Sequence, residues 1–201
     1  MKRVLDLGFA TLLLILCALP MALIALAVKL TSRGPVLYWS DRVGRHNRLF
    51  RMPKFRTMRI DTPEVASHLL MDPRHWMTPI GDLLRRSSLD ELPQLWSIFR
   101  GDMSCVGPRP ALHNQLDLIA LRTAHGVHKL VPGLTGWAQV NGRDELSIPD
   151  KVQLDAVYLK RRSLAFDLWI MAISAWRVLR RDGTVVPQQM AEAHPARREA
   201  A

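Results

Sequence analysis

The sequence predicts an α-rich α+β fold, with one membrane-seeking helix at the N-terminus and a small mixed domain behind it. Three observations carry this. Leu7 to Val28 is an uncharged run of 22 residues, and about 20 apolar residues cross a bilayer. Two short β-prone runs, Val36–Trp39 and Leu49–Met58, flank a basic turn. Beyond them, apolar residues recur at helical spacing as far as a tryptophan-rich stretch edged with arginine. The 201 residues suffice for one domain with a real core and an accessory element.

The apolar run admits more than one reading. Lys2 and Arg3 before it, with Ala25-Leu26-Ala27 near its end, resemble a signal peptide. Its length and Asp6 in the leader argue against cleavage. Lys2 and Arg3 on one flank, with Lys29 and Arg33 on the other, give no polarity by the positive-inside rule. Pro20 would bend the helix near its middle. A helix that dips in and returns to the same face and a kinked spanning helix both satisfy these facts.

The soluble part begins at residue 34. Asp41 to Arg48 reads as the basic turn of a hairpin. Pro63 to Asp72 is expected to form a short helix stopped by Pro73. Helical patterns follow over 79–99, 111–124 and 150–162. Val131 to Arg143, with glycines at 133, 136 and 142, reads as a structured loop holding one short strand. Phe166, Trp169, Ile170, Ile173 and Trp176, ending in Arg177, Arg180 and Arg181, fit either an interfacial amphipathic helix or a core helix with a basic last turn. The expected division is 1–33 membrane helix, 34–186 domain, and 187–201 a disordered polar tail.

Charge narrows the partners. A net charge of +10 points to a phospholipid surface, a nucleic acid or a nucleotide-type substrate. Two cysteines, Cys17 and Cys105, suggest neither a disulfide framework nor a zinc site. His125 and His128 stand at helical spacing with no further ligands near them in sequence.

Ser88-Leu-Asp-Glu-Leu-Pro-Gln-Leu95 is the most informative segment. Asp90 and Glu91 are adjacent acids that follow Arg85 and Arg86, and Gly107-Pro108-Arg109-Pro110 comes shortly after. Paired acids beside arginines suit metal-assisted phosphoryl chemistry: the acids hold a cation or attack phosphorus, and guanidiniums neutralise phosphate oxygens. A diphosphate substrate is the first expectation. The competing reading is a capping box, Ser88-x-x-Glu91, before an amphipathic helix. Pro93 tells mildly against that cap, since it would fall where its missing N–H costs a helical bond.

Five blocks in this order, Asp41–Gly44, Lys54–Met58, Ser88–Leu95, Gly101–Pro110 and Pro132–Arg143, resemble the bacterial sugar transferase family, the small monotopic polyprenyl-phosphate phosphoglycosyl transferases. The resemblance covers about residues 2–186. It implies a re-entrant membrane helix, a catalytic domain at the cytoplasmic face of the bacterial inner membrane, and interfacial amphipathic helices. It implies transfer of a sugar-1-phosphate from a UDP-sugar to undecaprenyl phosphate with release of UMP, as the first membrane step of glycan assembly. With no multi-pass region ahead of the run, the chain resembles the minimal form of the family. Leu19-Pro20 departs from the family's frequent Ser-Pro at the helix break.

By the same resemblance Asp90 is the nucleophile, forming an aspartyl-phosphosugar intermediate. Glu91 is a second acid that steers metal or manages protons. Magnesium is the expected cofactor, with Asp90 as its ligand. Arg85 and Arg109 are expected phosphate contacts, with Pro108 and Pro110 shaping the second. Lys54 and Arg56 are substrate candidates that could instead face lipid headgroups. Asn141 and Arg143 are candidates for nucleotide or sugar; the alternative for their loop is turn chemistry, with glycines at positive φ and Trp137 as packing. Pro110 to Gln115 resembles members that handle N-acetylated, often 6-deoxy, amino sugars. Membrane lipids are expected partners and nucleic acid is not. A homodimer stays open. The alternative classes are a basic membrane-anchored scaffold and a nucleic-acid-binding protein without catalysis, neither of which explains an acid pair between arginine clusters.

Overall fold

The computed structural model describes residues 1–63, 74–142 and 146–180. The apolar run is the body of helix α1, Lys2–Thr31, which continues without interruption through Pro20. Pro20 has no N–H to give the Leu16 carbonyl, so this helix, about 45 Å long, has one open position in its ladder. Its most apolar window has a mean hydropathy of 2.7. Leu12, Ile15, Leu16, Leu19 and Leu23 are all exposed along it.

Both ends of α1 are fastened to the same domain. Asp6 is buried, and its Oδ1 accepts from the Ser104 hydroxyl and the Cys105 amide, each at 3.0 Å. Lys2 pairs with Asp167 at 2.5 Å. Arg3 donates to the carbonyls of Ile98 and Phe99, near the end of a short helix. At the far end, the Arg56 guanidinium donates to the carbonyls of Ser32, Arg33 and Pro35 and to the Ser32 hydroxyl. Lys2 and Arg3 therefore act as ties as well as flanking charges.

Strands β1 (Leu37–Val43) and β2 (Leu49–Phe55) form the expected hairpin. The strand runs further than the sequence suggested, because the register sets Asp41 opposite Arg51 and Val43 opposite Leu49, and opposite charges across a ladder favour pairing. The turn shrinks to residues 44–48, with His46 and Asn47 at positive φ.

The helix expected over 79–99 is three pieces: α2 (Gly81–Arg86), a 3-10 turn over Leu89–Gln94, and α3 (Leu95–Arg100). The break is at Ser88, whose φ of 57° is left-handed. Strand β3 (Ser104–Val106) and strand β4 (Ala111–Leu112) are too short to show a period in the sequence. β4 joins the hairpin in the order β2-β1-β4, and β3 pairs parallel with β5 (Gly133–Thr135), the strand expected in the glycine-rich loop. Because 111–112 pair with β1, the helix expected from 111 starts later, as α4 (Leu116–Ala124). Helices α5 (Ile148–Arg161), capped by the Ser147 hydroxyl, and α6 (Leu164–Leu179) complete the domain.

Leu95, Ile98, Met103, Val106, Tyr158 and Ile170 form the main core together with Ala10 of α1. Val28, Phe55 and Leu84 form a second cluster under the helix's other half. α6 satisfies both readings made of it: Phe166 and Ile170 are buried, whereas Leu168, Trp169 and Trp176 are exposed. The expected helix after Pro63, the tail from 187, Arg143 and Arg181 lie outside the described residues.

Candidate active site

The local chain around the acid pair speaks against the capping box. A capping Ser holds an extended backbone and accepts an amide with its hydroxyl. Ser88 does neither: it is left-handed and makes no side-chain cap bond. Its own amide donates to the Arg85 carbonyl, so Glu91 has no free amide there to reach. Glu91 turns instead to Arg109, at 2.6 Å. The left-handed residue ends α2 and starts the tight turn that carries Asp90 into the domain, where it is 7 % exposed.

The 3-10 turn packs against β2, which brings Lys54 to the acids. Lys54 and Arg42 share one face of the hairpin, as alternation and register require, and the Lys54 ammonium lies 5.5 Å from the Tyr38 ring centre. Burial pushes the Asp90 carboxyl up to about 6, and the Glu91 charge adds to this; Lys54, Arg85 and Arg109 pull the other way. Burial likewise lowers the Lys54 ammonium to about 8, helped by Arg42 and Arg85 and opposed by Asp90 and Glu91. Desolvation thus outweighs pairing at both groups, as at sites where titratable groups do chemistry.

Arg85 is set by Thr57, whose hydroxyl accepts from its Nε at 3.0 Å. Thr57 is held in turn, its carbonyl accepting the Thr78 amide. Arg109 is set through its backbone. Its carbonyl accepts from Arg122 at 2.7 Å, and Arg122 is locked by a buried ion pair with Asp155 at 2.6 Å. The carbonyls of Pro108 and Pro110, on either side, accept from the Gly133 amide and from Arg42. Both prolines are buried, so they shape the loop rather than face a substrate.

The structure gathers Asp90, Glu91, Lys54, Arg85 and Arg109, and it sets Arg56 apart. That guanidinium is buried and spent on the carbonyls that follow α1, which makes it a clamp on the membrane helix. The Asn141 amide closes its own turn on the Trp137 carbonyl at 2.7 Å. Trp137 packs against Phe166 and Trp169. The loop glycines mostly do a different job from the one expected. Gly133 and Gly136 have no positive φ; a Cβ on either would come within 2.0 Å of Gly107 backbone atoms, so they allow two backbones to touch. Gly142 alone in that loop is at positive φ. Arg42 and Thr57 were not singled out from sequence, although both lie in the conspicuous Asp41–Gly44 and Lys54–Met58 blocks.

A magnesium ion takes one or two carboxylates and fills its shell with phosphate oxygens and water. The adjacent acids Asp90 and Glu91 fit that donor set. Among the described residues no group of three or more acidic, histidine or cysteine ligands gathers anywhere, so a protein-only cage is not offered.

Comparison with known proteins identifies the family. The family model described as bacterial sugar transferase matches residues 1–181. An undecaprenyl-phosphate glucose phosphotransferase of Komagataeibacter xylinus is 41 % identical over 194 residues, covering 88 % of this chain and 35 % of that protein. The UDP-glucose:undecaprenyl-phosphate glucose-1-phosphate transferase of Escherichia coli K12 is 39 % identical over 186 residues, 88 % of this chain and 40 % of that one. The chain thus spans well under half the length of these two relatives. An uncharacterised sugar transferase of Bacillus subtilis, EpsL, is 39 % identical over 184 residues and is covered to 89 % of its length. With the family model matched from end to end of the described domain, this chain belongs to the bacterial sugar transferase family.

Proposed function

We propose that the protein transfers a sugar-1-phosphate from a UDP-sugar to undecaprenyl phosphate, with release of UMP. The observation that carries this is Asp90: a buried carboxylate in a tight turn, with Lys54, Arg85 and Arg109 around it. Asp90 attacks the β-phosphorus of the donor, the bond to the bridging oxygen breaks, and UMP leaves with that electron pair. A phosphate oxygen of the polyprenyl acceptor then attacks the aspartyl-phosphosugar and frees the Asp90 carboxylate. Splitting the transfer in two lets one cationic pocket serve two anionic substrates in turn. Lys54, Arg85 and Arg109 neutralise phosphate oxygens in both steps. Glu91 holds Arg109 in place. Asp90 and Glu91 are the residues that would hold a magnesium ion, which would supply charge neutralisation at the leaving group.

For the sugar, the names of the first two relatives support glucose as the donor's hexose. The N-acetylated amino sugar suggested by Pro110–Gln115 is the competing donor. Its support is thinner, because Ala111 and Leu112 are used in β4 and the Gln115 side chain accepts the Leu112 amide. Both ends of α1 are tied to one domain and its outer face is apolar, which supports a helix that enters and leaves the membrane on one side, proposed to be the cytoplasmic face of the inner membrane.

The test is UMP release from UDP-glucose, UDP-galactose and UDP-N-acetylated sugars, with undecaprenyl phosphate and magnesium, for wild type and Asp90→Asn. Release from one donor, lost in the variant and on chelation, supports the reading. UMP release by Asp90→Asn at the wild-type rate would overturn the nucleophile assignment.

A further inference from the structure

A groove of about 480 Å³ separates α1 from the β1–β2 hairpin. Its walls are apolar: Ala22 on α1, Trp39, Pro53 and Phe55 on the hairpin, and Pro93 and Trp96 beyond them. One turn connects it with the charged cluster, and one strand lies between the two. Pro93 belongs to the same 3-10 turn as Asp90. Pro53 precedes Lys54 on β2, so the two side chains point to opposite faces of one strand. At the rim the Arg51 guanidinium lies 5.4 Å from the Trp39 ring centre.

An apolar groove that ends behind a turn ringed by cations suits an amphiphile with a long tail and an anionic head. We propose that this groove holds the first isoprene units of the polyprenyl acceptor, beside the phosphate that reacts at Asp90. This inference rests on the transferase reading. A cavity of about 150 Å³ takes up one benzene, so the groove has room for about three five-carbon units. α1, which forms one wall, is apolar on its outer face, so the occupant arrives from hydrocarbon. A peptide segment there would leave backbone amides without partners. A glycerolipid is a poorer fit, because its glycerol esters separate phosphate from chain. In a polyprenyl phosphate the two are joined directly, and a single turn spans Pro93 and Asp90.

The experiment uses the full chain in detergent and polyprenyl phosphates of two, four and eleven isoprene units. Wild type is compared with Ala22→Phe, which fills the groove from an exposed position on α1, and with Ala22→Ser. In wild type, kcat/KM is expected to rise at least about tenfold from two to four units and little beyond. In Ala22→Phe that rise is lost, with the KM for the UDP-sugar within about twofold of wild type. Ala22→Ser keeps the rise with chain length. A chain-length preference unchanged in Ala22→Phe overturns the proposal. So does its absence in wild type, its abolition by excess diacyl phosphatidylglycerol, or a change of oligomeric state in the variant, which would assign the groove to a phospholipid or a second copy. Quenching of tryptophan fluorescence by the same phosphates reads the groove without turnover, through Trp39 and Trp96. If no donor and acceptor react, the transferase reading fails while length-dependent quenching, lost in Ala22→Phe, keeps the groove; absence of that quenching overturns it.

Discussion

Asp90 shows how a residue's environment sets its chemistry. Its ordinary acidity would leave it ionised and hydrated; burial raises it to about 6, and Lys54 is lowered to about 8 in the same pocket. With Asp90 as the proposed nucleophile, acting as its carboxylate, activity is expected to fall as pH drops through about 6. With Lys54 as a proposed phosphate contact, acting as its ammonium, activity is also expected to fall as pH rises through about 8. The profile of kcat/KM, which reports the free enzyme, is therefore expected to be a bell with limbs near these values; a profile flat from 5 to 9 would exclude both groups. The same shift has a stability cost. A carboxyl whose folded value lies above its unfolded one costs nothing below pH 4, and its cost grows as pH rises through about 6. Asp90→Asn is expected to abolish transfer yet gain on the order of 2 kcal/mol at neutral pH, read as a higher midpoint in thermal or urea unfolding. At low pH the gain disappears.

At the scale of elements, the site depends on two short segments held by their neighbours. The Gly107–Pro110 loop crosses β5 so closely that Gly133 has no space for a side chain: an added Cβ would meet the Gly107 nitrogen at 2.0 Å and the Thr135 carbonyl at 2.4 Å. Gly133→Ala is expected to cut kcat/KM about a hundredfold by moving Arg109, with α1 docking intact by limited proteolysis. Behind the same loop, Arg122 on α4 and Asp155 on α5 form a pair whose side chains are 9 % and 1 % exposed. Arg122→Met strands a buried carboxylate, a loss of about 3–5 kcal/mol in urea unfolding. Adding Asp155→Leu is expected to restore most of the stability but not the activity, because the Arg109 carbonyl has lost its donor. Recovery of both would reduce the pair to a structural staple.

Across the whole molecule, α1 packs into the domain and keeps an apolar face outside it. Its N-terminal half buries Asp6 and Ala10 and its C-terminal half Val28, while Leu12, Ile15, Leu19 and Leu23 remain outside. Trp96, Phe99, Trp169 and Trp176 are exposed in addition, and tryptophans favour the headgroup level. In a Cys17→Ser background, Val4→Cys and Leu30→Cys are expected to react with a membrane-impermeant maleimide from the same side of oriented vesicles, and Leu16→Cys from neither. Labelling of the two ends from opposite sides would establish a spanning helix.

Much of this was legible in the sequence, for identifiable reasons. Hydropathy depends on composition alone, so the apolar run of α1 could be read directly. The hairpin shows in two β-prone runs around a basic turn, and Asp90, Glu91, Arg85 and Arg109 stand out because charged residues cluster in few places. What the sequence could not supply was register and partner. Nothing local says that Ser88 is left-handed, and that conformation cancels the capping box and splits one expected helix into three. Arg56 and Arg85 look alike as letters, yet one clamps the end of α1 and the other faces Asp90. Arg42 and Thr57 join the site only because β1, β2 and α2 pack together. Whether a charged side chain binds a substrate or holds the scaffold depends on which carbonyls and acids lie within about 3 Å of it, and only the tertiary structure decides that.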